Sequence, residues 1–165
     1  MKNQPHIDLP PSAFEKLSTF ISFLVMVITL IYLVVIWNKI PETIPVHFNL
    51  SGEPDNYGGK WSIIVLPIIS LFIWVSFTML EKYPHVYNYI VTIHERNAEA
   101  QYKNAVLMLS VLKLVICLLF SYLTWVSIQI GMGYQSGLGG WQMLITLAGT
   151  LGVVMIFLIR SIRLK

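Results

Sequence analysis

The sequence predicts an all-α membrane protein: a four-transmembrane-helix bundle, N-in/C-in, with an ordered extracytoplasmic loop between helices 1 and 2. Of the 165 residues, 56% are hydrophobic and 12% are charged, against the roughly half apolar and quarter charged make-up of soluble domains. The apolar residues fall into four runs, each close to the ~20 residues that a helix needs to cross a bilayer core. Basic residues gather on one set of connections and avoid the other, which is how the positive-inside rule reads orientation.

The N-terminal stretch MKNQPHIDLPPSAFEKLS carries prolines and acids before any hydrophobic run. No small-residue cleavage site follows that run, so a signal peptide is not expected. The first span, about 17–37, holds no charge and ends on Trp37 at the interface. The second, about 61–80, is bracketed by Lys60 and by Glu81 and Lys82, and carries Pro67, which membrane helices tolerate with a kink. The third, about 105–131, contains Lys113. Thr92 and Glu95 have capping-box spacing, so this helix is expected to begin near Ile93 in water. Run on to Gly131 it would be roughly 58 Å long at 1.5 Å per residue, and its first turns would stand outside the bilayer. The fourth span, about 141–159, starts at Trp141 and is followed by Arg160, Arg163 and Lys165, with Gly149 and Gly152 offering close helix approach.

Lys2 and Lys16 precede the first span, Lys82, Arg96 and Lys103 lie in the middle connection 81–104, and Arg160, Arg163 and Lys165 follow the last span. The other side has only Lys39 and Lys60, in the connection 38–60. Both termini are therefore expected in the cytoplasm of a bacterial cell, with 38–60 facing out across the plasma membrane as a single membrane domain, residues 1–165. The lipid bilayer is the implied partner. The formal charge of +3 is spread along the chain rather than clustered with aromatics, so no nucleic-acid partner is expected.

The outward connection reads NKIPETIPVHFNLSGEPDNYGGK. Pro41 and Pro45 favour extended backbone, while SGEPDNYGG offers consecutive turns in which Gly52, Gly58 and Gly59 can take positive φ. His47, Asn49, Glu53 and Asp55 bring imidazole, amide and carboxylate groups within nine residues, the types that bind a divalent cation or run acid–base chemistry. Three readings stand together. These side chains satisfy their own loop, or His47, Glu53 and Asp55 hold a divalent metal or small ligand, or the loop docks an extracellular peptide or membrane partner protein.

The segment IPVHFNLSGEPDNYGGK, placed between a first and a second span, resembles the signature of a bacterial membrane domain of unknown function that forms the N-terminal part of SdpI-type proteins, the immunity proteins for the sporulation-delaying toxin. The matching positions are Pro45, His47, Asn49, Gly52, Asp55, Tyr57 and Lys60, and ERNAEAQYKNA with Leu112, Lys113 and Trp125 resembles the next block. The resemblance implies a membrane protein that senses, or gives immunity to, an extracellular peptide or envelope stress, with those seven loop residues as its binding site. SdpI-type members are longer and carry further spans, whereas four are expected here. A small transporter or a metal-dependent membrane enzyme using His47, Glu53, Asp55 and Lys113 is the alternative.

Lys113 is the one ionisable residue within an expected span, and a charge at mid-bilayer costs about 2.5–3.5 kcal/mol on insertion scales. It either snorkels its ammonium to the headgroups or forms an ion pair inside the bundle. His94 and Glu95 resemble a zincin helix only superficially, because Ala98 stands where the second His is needed. Glu99 and Lys103 have i,i+4 pairing distance. His85, Tyr83, Tyr87 and Tyr89 read as an interfacial aromatic belt. Cys117 lies in an apolar run and is expected to pack there. No catalytic residues stand out in the water-exposed segments.

Overall fold

The computed structural model describes residues 4–165, so Lys2 lies outside the described residues. Four helical segments are long and apolar enough to cross a membrane: Ala13–Lys39, Lys60–Leu80, Ala98–Gly131 and Gly140–Arg163. The chain is a multi-pass membrane protein, mostly helical, and its outer surface agrees with that solvent. Phe20, Val34, Phe72 and Trp141 are each more than 60% exposed, an apolar display that water would penalise and lipid does not.

Helix α1 spans Ala13–Ile36 and runs into a 3₁₀ turn at Trp37–Lys39. Its start is fixed by a capping box that the hydropathy pattern hides. The Glu15 N–H donates to Ser12 Oγ at 3.3 Å while the Ser12 N–H donates to Glu15 Oε2 at 2.9 Å, satisfying two of the helix's unpaired donors. Ser18, Ser22, Met26, Thr29 and Leu33 form its buried stripe. Small residues on that stripe allow close approach, and Ser18 Oγ donates to the Ser110 carbonyl at 2.8 Å.

Helix α2 (Val65–Leu80) follows a 3₁₀ segment, Lys60–Ile64. Pro67 therefore sits in the first turn of α2 rather than in mid-span, where its missing N–H removes little. Helix α3 (Ala98–Gly131) is central, packed against α1, α2 and α4. It begins later than the Thr92–Glu95 spacing predicts. Asn97 takes over the local backbone, accepting from the His94 N–H at 2.9 Å and donating from Nδ2 to the Thr92 carbonyl at 3.0 Å, and winding starts only after it. At 34 residues α3 is about 51 Å long, still longer than a bilayer core.

Helix α4 (Gly140–Arg163) packs on α3 and is tied near its end by side chains reaching its backbone. Gln101 Nε2 donates to the Ser161 carbonyl at 2.8 Å, Ser161 Oγ returns a bond to Gln101 Oε1 at 2.6 Å, and Asn104 Nδ2 donates to the Phe157 carbonyl at 3.0 Å. The close approach expected at Gly149 and Gly152 does not form among the described residues: a Cβ built on either would meet none of them within 4 Å.

The connection between α1 and α2 departs from the all-α expectation. Thr43–Phe48 (β1) and Pro54–Gly59 (β2) pair antiparallel, with Thr43 opposite Gly59, Ile44 opposite Gly58, Pro45 opposite Tyr57, His47 opposite Asn56 and Phe48 opposite Pro54. The β-branched residues of TIPVHF suit a strand. Pro45 is tolerated because both strands of a two-stranded ribbon are edges. The ribbon sits on the bundle through Ile44, buried with Leu33, Ile40, Ile63 and Ile128 in the core at that end.

Candidate functional site

The ribbon sorts its residues into a buried, fastening set and an exposed set. Ile44 and Pro45 are buried. Asn49 builds the turn: its Oδ1 accepts from the Ser51 N–H at 2.9 Å and the Glu53 N–H at 3.0 Å, its Nδ2 donates to Glu53 Oε2 at 3.3 Å, and its carbonyl accepts from the Gly52 N–H at 2.9 Å. Gly52 adopts φ +77°, the left-handed region that glycine occupies without penalty. A Cβ there would also lie 2.8 Å from the Gly139 carbonyl oxygen, and one on Gly137 would lie 2.7 Å from the Gly52 carbonyl oxygen. That carbonyl accepts from the Leu138 N–H at 2.7 Å. The ribbon's turn thus docks backbone to backbone on the glycine-rich α3–α4 connection. Lys60 seals the other edge, its N–H donating to the Glu42 carbonyl at 2.9 Å and its Nζ lying 4.9 Å from the Trp37 ring centroid.

Of the seven loop residues that carry the resemblance, His47, Asp55 and Tyr57 are exposed, as are Val46 and Leu50 of the same ribbon. His47 Nδ1 and Asp55 Oδ1, from facing strands, lie 2.5 Å apart, with the side chains 68% and 41% exposed. Register irregularities on both sides of His47 interrupt the ladder there. Tyr57 is 54% exposed. Of the seven loop residues singled out by sequence, Pro45, Asn49, Gly52 and Lys60 hold the ribbon, while His47, Asp55 and Tyr57 are exposed. Glu53 bonds to Asn49 rather than joining His47 and Asp55. No group of three or more His, Cys, Asp or Glu able to hold a metal converges among the described residues.

Lys113 is elsewhere. It lies fifteen residues before Ile128 on α3, about 22 Å along the helix from the ribbon's core, and its side chain is fully buried. It does not snorkel. Its Nζ donates to Glu81 Oε2 at 2.7 Å, Thr19 Oγ1 at 2.8 Å and Thr78 Oγ1 at 3.2 Å, and Ser110 Oγ donates to Glu81 Oε1 at 2.7 Å. One ammonium and one carboxylate therefore join α1, α2 and α3, with the remaining hydrogen-bonding capacity taken by hydroxyls, the condition under which a buried ion pair is tolerable. Beside it, burial and then the Glu81 charge push the Tyr87 phenol up, so it remains a donor, to the Leu80 carbonyl at 2.5 Å.

Sequence reasoning missed Glu81, which reads as a mere bracket of the second span. The signal was present in the cluster of hydroxyl-bearing Ser18, Thr19 and Ser22 at the start of the first span, together with one acid and one base at matching ends of neighbouring spans. The expected i,i+4 pair forms, with Lys103 Nζ 2.6 Å from Glu99 Oε1.

A family model described as Domain of unknown function (DUF1648) matches residues 24–71. That is less than half of the chain, and it contains the ribbon but neither Glu81 nor Lys113. An Archaeoglobus fulgidus protein described as uncharacterized is 32% identical over 66 residues, 35% of this chain and 36% of that protein. The chain thus spans little more than a third of the length of this curated relative. No solved structure matches.

Proposed function

We propose that this is a non-enzymatic protein of the bacterial cytoplasmic membrane, with both termini in the cytoplasm, whose outward β-ribbon recognises an extracellular peptide and thereby senses or neutralises it. One observation carries the reading. His47 and Asp55 are brought to 2.5 Å as exposed side chains of a ribbon that Ile44, Asn49 and Gly52 fasten without them. An exposed pair of this kind stabilises a fold by only about 0–1 kcal/mol, so its worth lies in what it presents: a carboxylate and an imidazole, with Tyr57 also exposed two residues after Asp55 on β2. These groups complement the backbone amides and basic side chains of a peptide. The resemblance of this segment to SdpI-type immunity proteins supports an SdpI-like role, and the family match over the same residues is compatible with it. The distribution of basic residues supports the orientation.

Deletion of the gene should raise sensitivity to at least one member of a panel of membrane-active peptides. His47→Ala and Asp55→Ala should each reproduce that sensitivity while the protein persists in the membrane. Unchanged sensitivity of the deletion strain across the panel removes the reading. Orientation is read separately: Ser51→Cys should react with a membrane-impermeant maleimide added to intact cells, where the buried Cys117 does not.

A further inference from the structure

At the Glu81–Lys113 end, a groove of about 880 Å³ opens between the N-terminal segment and the helices, within the size range of small-molecule sites. Its floor is aromatic. Phe20 and Phe23 are 62% and 48% exposed, and the Phe23 and Trp74 ring centroids lie 5.6 Å apart. Trp74 spends its only donor internally, Nε1 giving to Ser22 Oγ at 3.0 Å, so the indole offers the groove an apolar surface. The mouth is lined by Lys16 from α1, Lys82 just after α2 and Arg160 in the last turn of α4.

The charge balance at that mouth favours an anion. Three acids also line the groove, Asp8, Glu15 and Glu81. Glu81 is neutralised by Lys113, and the Glu15 carboxylate accepts from the Ser12 N–H. Lys103 is matched by Glu99. Among the described residues Lys16, Lys82 and Arg160 form no ion pair. Asp8 and Glu15 are then the two acids without an ion-pair partner, opposing three such cations, which leaves an excess of positive charge. All three cations stand at the ends of spans, the depth at which lipid headgroups lie.

We propose that this groove binds an anionic phospholipid, one acyl chain lying along Phe20, Phe23 and Trp74 and the headgroup phosphate meeting Lys16, Lys82 and Arg160. A soluble phosphate would engage the cations but leave the aromatic floor uncovered. A zwitterionic lipid would cover the floor but bring its own cation to the mouth. The site is separate from the ribbon and holds whichever leaflet this end faces.

The full-length protein, purified in mild detergent and mixed with equal phosphatidylglycerol and phosphatidylcholine, should retain phosphatidylglycerol preferentially by native mass spectrometry. Lys16→Gln/Lys82→Gln/Arg160→Gln should lower that preference at least tenfold. Lys39→Gln/Lys60→Gln, at the other end of the bundle, should leave it intact. Should the triple variant not fold, a photoactivatable phosphatidylglycerol bound to the unaltered protein should label residues 16–23 and 74–82 above the rest of the chain. Equal retention of the two lipids, an unchanged preference in a folded triple variant, labelling spread evenly along the spans, or displacement by millimolar glycerol phosphate would each overturn the assignment.

Discussion

His47 with Asp55 and Lys113 with Glu81 are both base–acid pairs at hydrogen-bond distance, 2.5 Å and 2.7 Å, and they are built in opposite ways. The first sits on a β-ribbon at one end of the bundle with both partners largely in solvent. The second lies where three helices meet near the other end, its ammonium fully buried and its carboxylate 12% exposed. Water screens the first pair, so neither partner depends on the other to remain solvated. The second has no such recourse: each charge is the other's solvent, assisted by the hydroxyls of Thr19, Thr78 and Ser110. One end of the molecule can lose a single partner of its pair and keep its stability; the other cannot, because the partner left behind is a buried, uncompensated charge.

The largest effect that tests this contrast is Lys113→Met. Removing one partner of a buried pair leaves an uncompensated charge, with an expected loss of about 3–5 kcal/mol, read as a lowered midpoint of denaturant unfolding in micelles. Glu81→Gln/Lys113→Met together should recover most of that loss, because no buried charge remains. A single variant with an unchanged midpoint would show that the pair is solvated after all, and the contrast between the two ends would collapse.

Next in size is Gly52→Ala. It forces a side chain into φ +77° and to 2.8 Å from the Gly139 carbonyl oxygen, with an expected penalty of about 1–3 kcal/mol from backbone strain alone. The damage should stay local, appearing as faster hydrogen exchange in residues 43–59 and 132–140 while the α1–α3 contact region keeps its protection. Gly149→Ala, where a Cβ meets nothing within 4 Å, is the matched control and should be neutral or slightly stabilising. Loss of protection throughout the bundle after Gly52→Ala would mean that the ribbon belongs to the core rather than resting on it.

The two regions also differed in how far their sequences could be read. Spans are written in composition, so the four helices were legible from apolar runs alone. Their ends were less so, because ends depend on single hydrogen bonds. Ser12 and Glu15 form a capping box, whereas Thr92 and Glu95, with the same spacing, do not, since Asn97 claims that backbone first. The second half of the ribbon reads as turns because PDNYGG has little strand propensity. It pairs because TIPVHF opposite it is β-branched and because the turn is held from outside, by Gly137, Leu138 and Gly139 some eighty residues away. Glycines in that distant connection look like ordinary loop residues until their partner is known. Lys113 was visible as an anomaly, but its partner was not, since Glu81 stands at a span boundary where charged residues are ordinary.

The smallest expected stability effect is the most discriminating one. His47→Ala should change the unfolding midpoint by less than about 1 kcal/mol and leave hydrogen exchange in the ribbon unaltered, since Asn49, Gly52 and Ile44 fasten it without His47. The same variant is expected to abolish peptide protection. A stable variant without protection separates recognition from folding at this end of the molecule, as no variant of Lys113 can at the other. If instead His47→Ala loosens the ribbon as much as Gly52→Ala does, the pair is a clasp between β1 and β2, and the exposed face must find its recognition chemistry in Tyr57 and the turn.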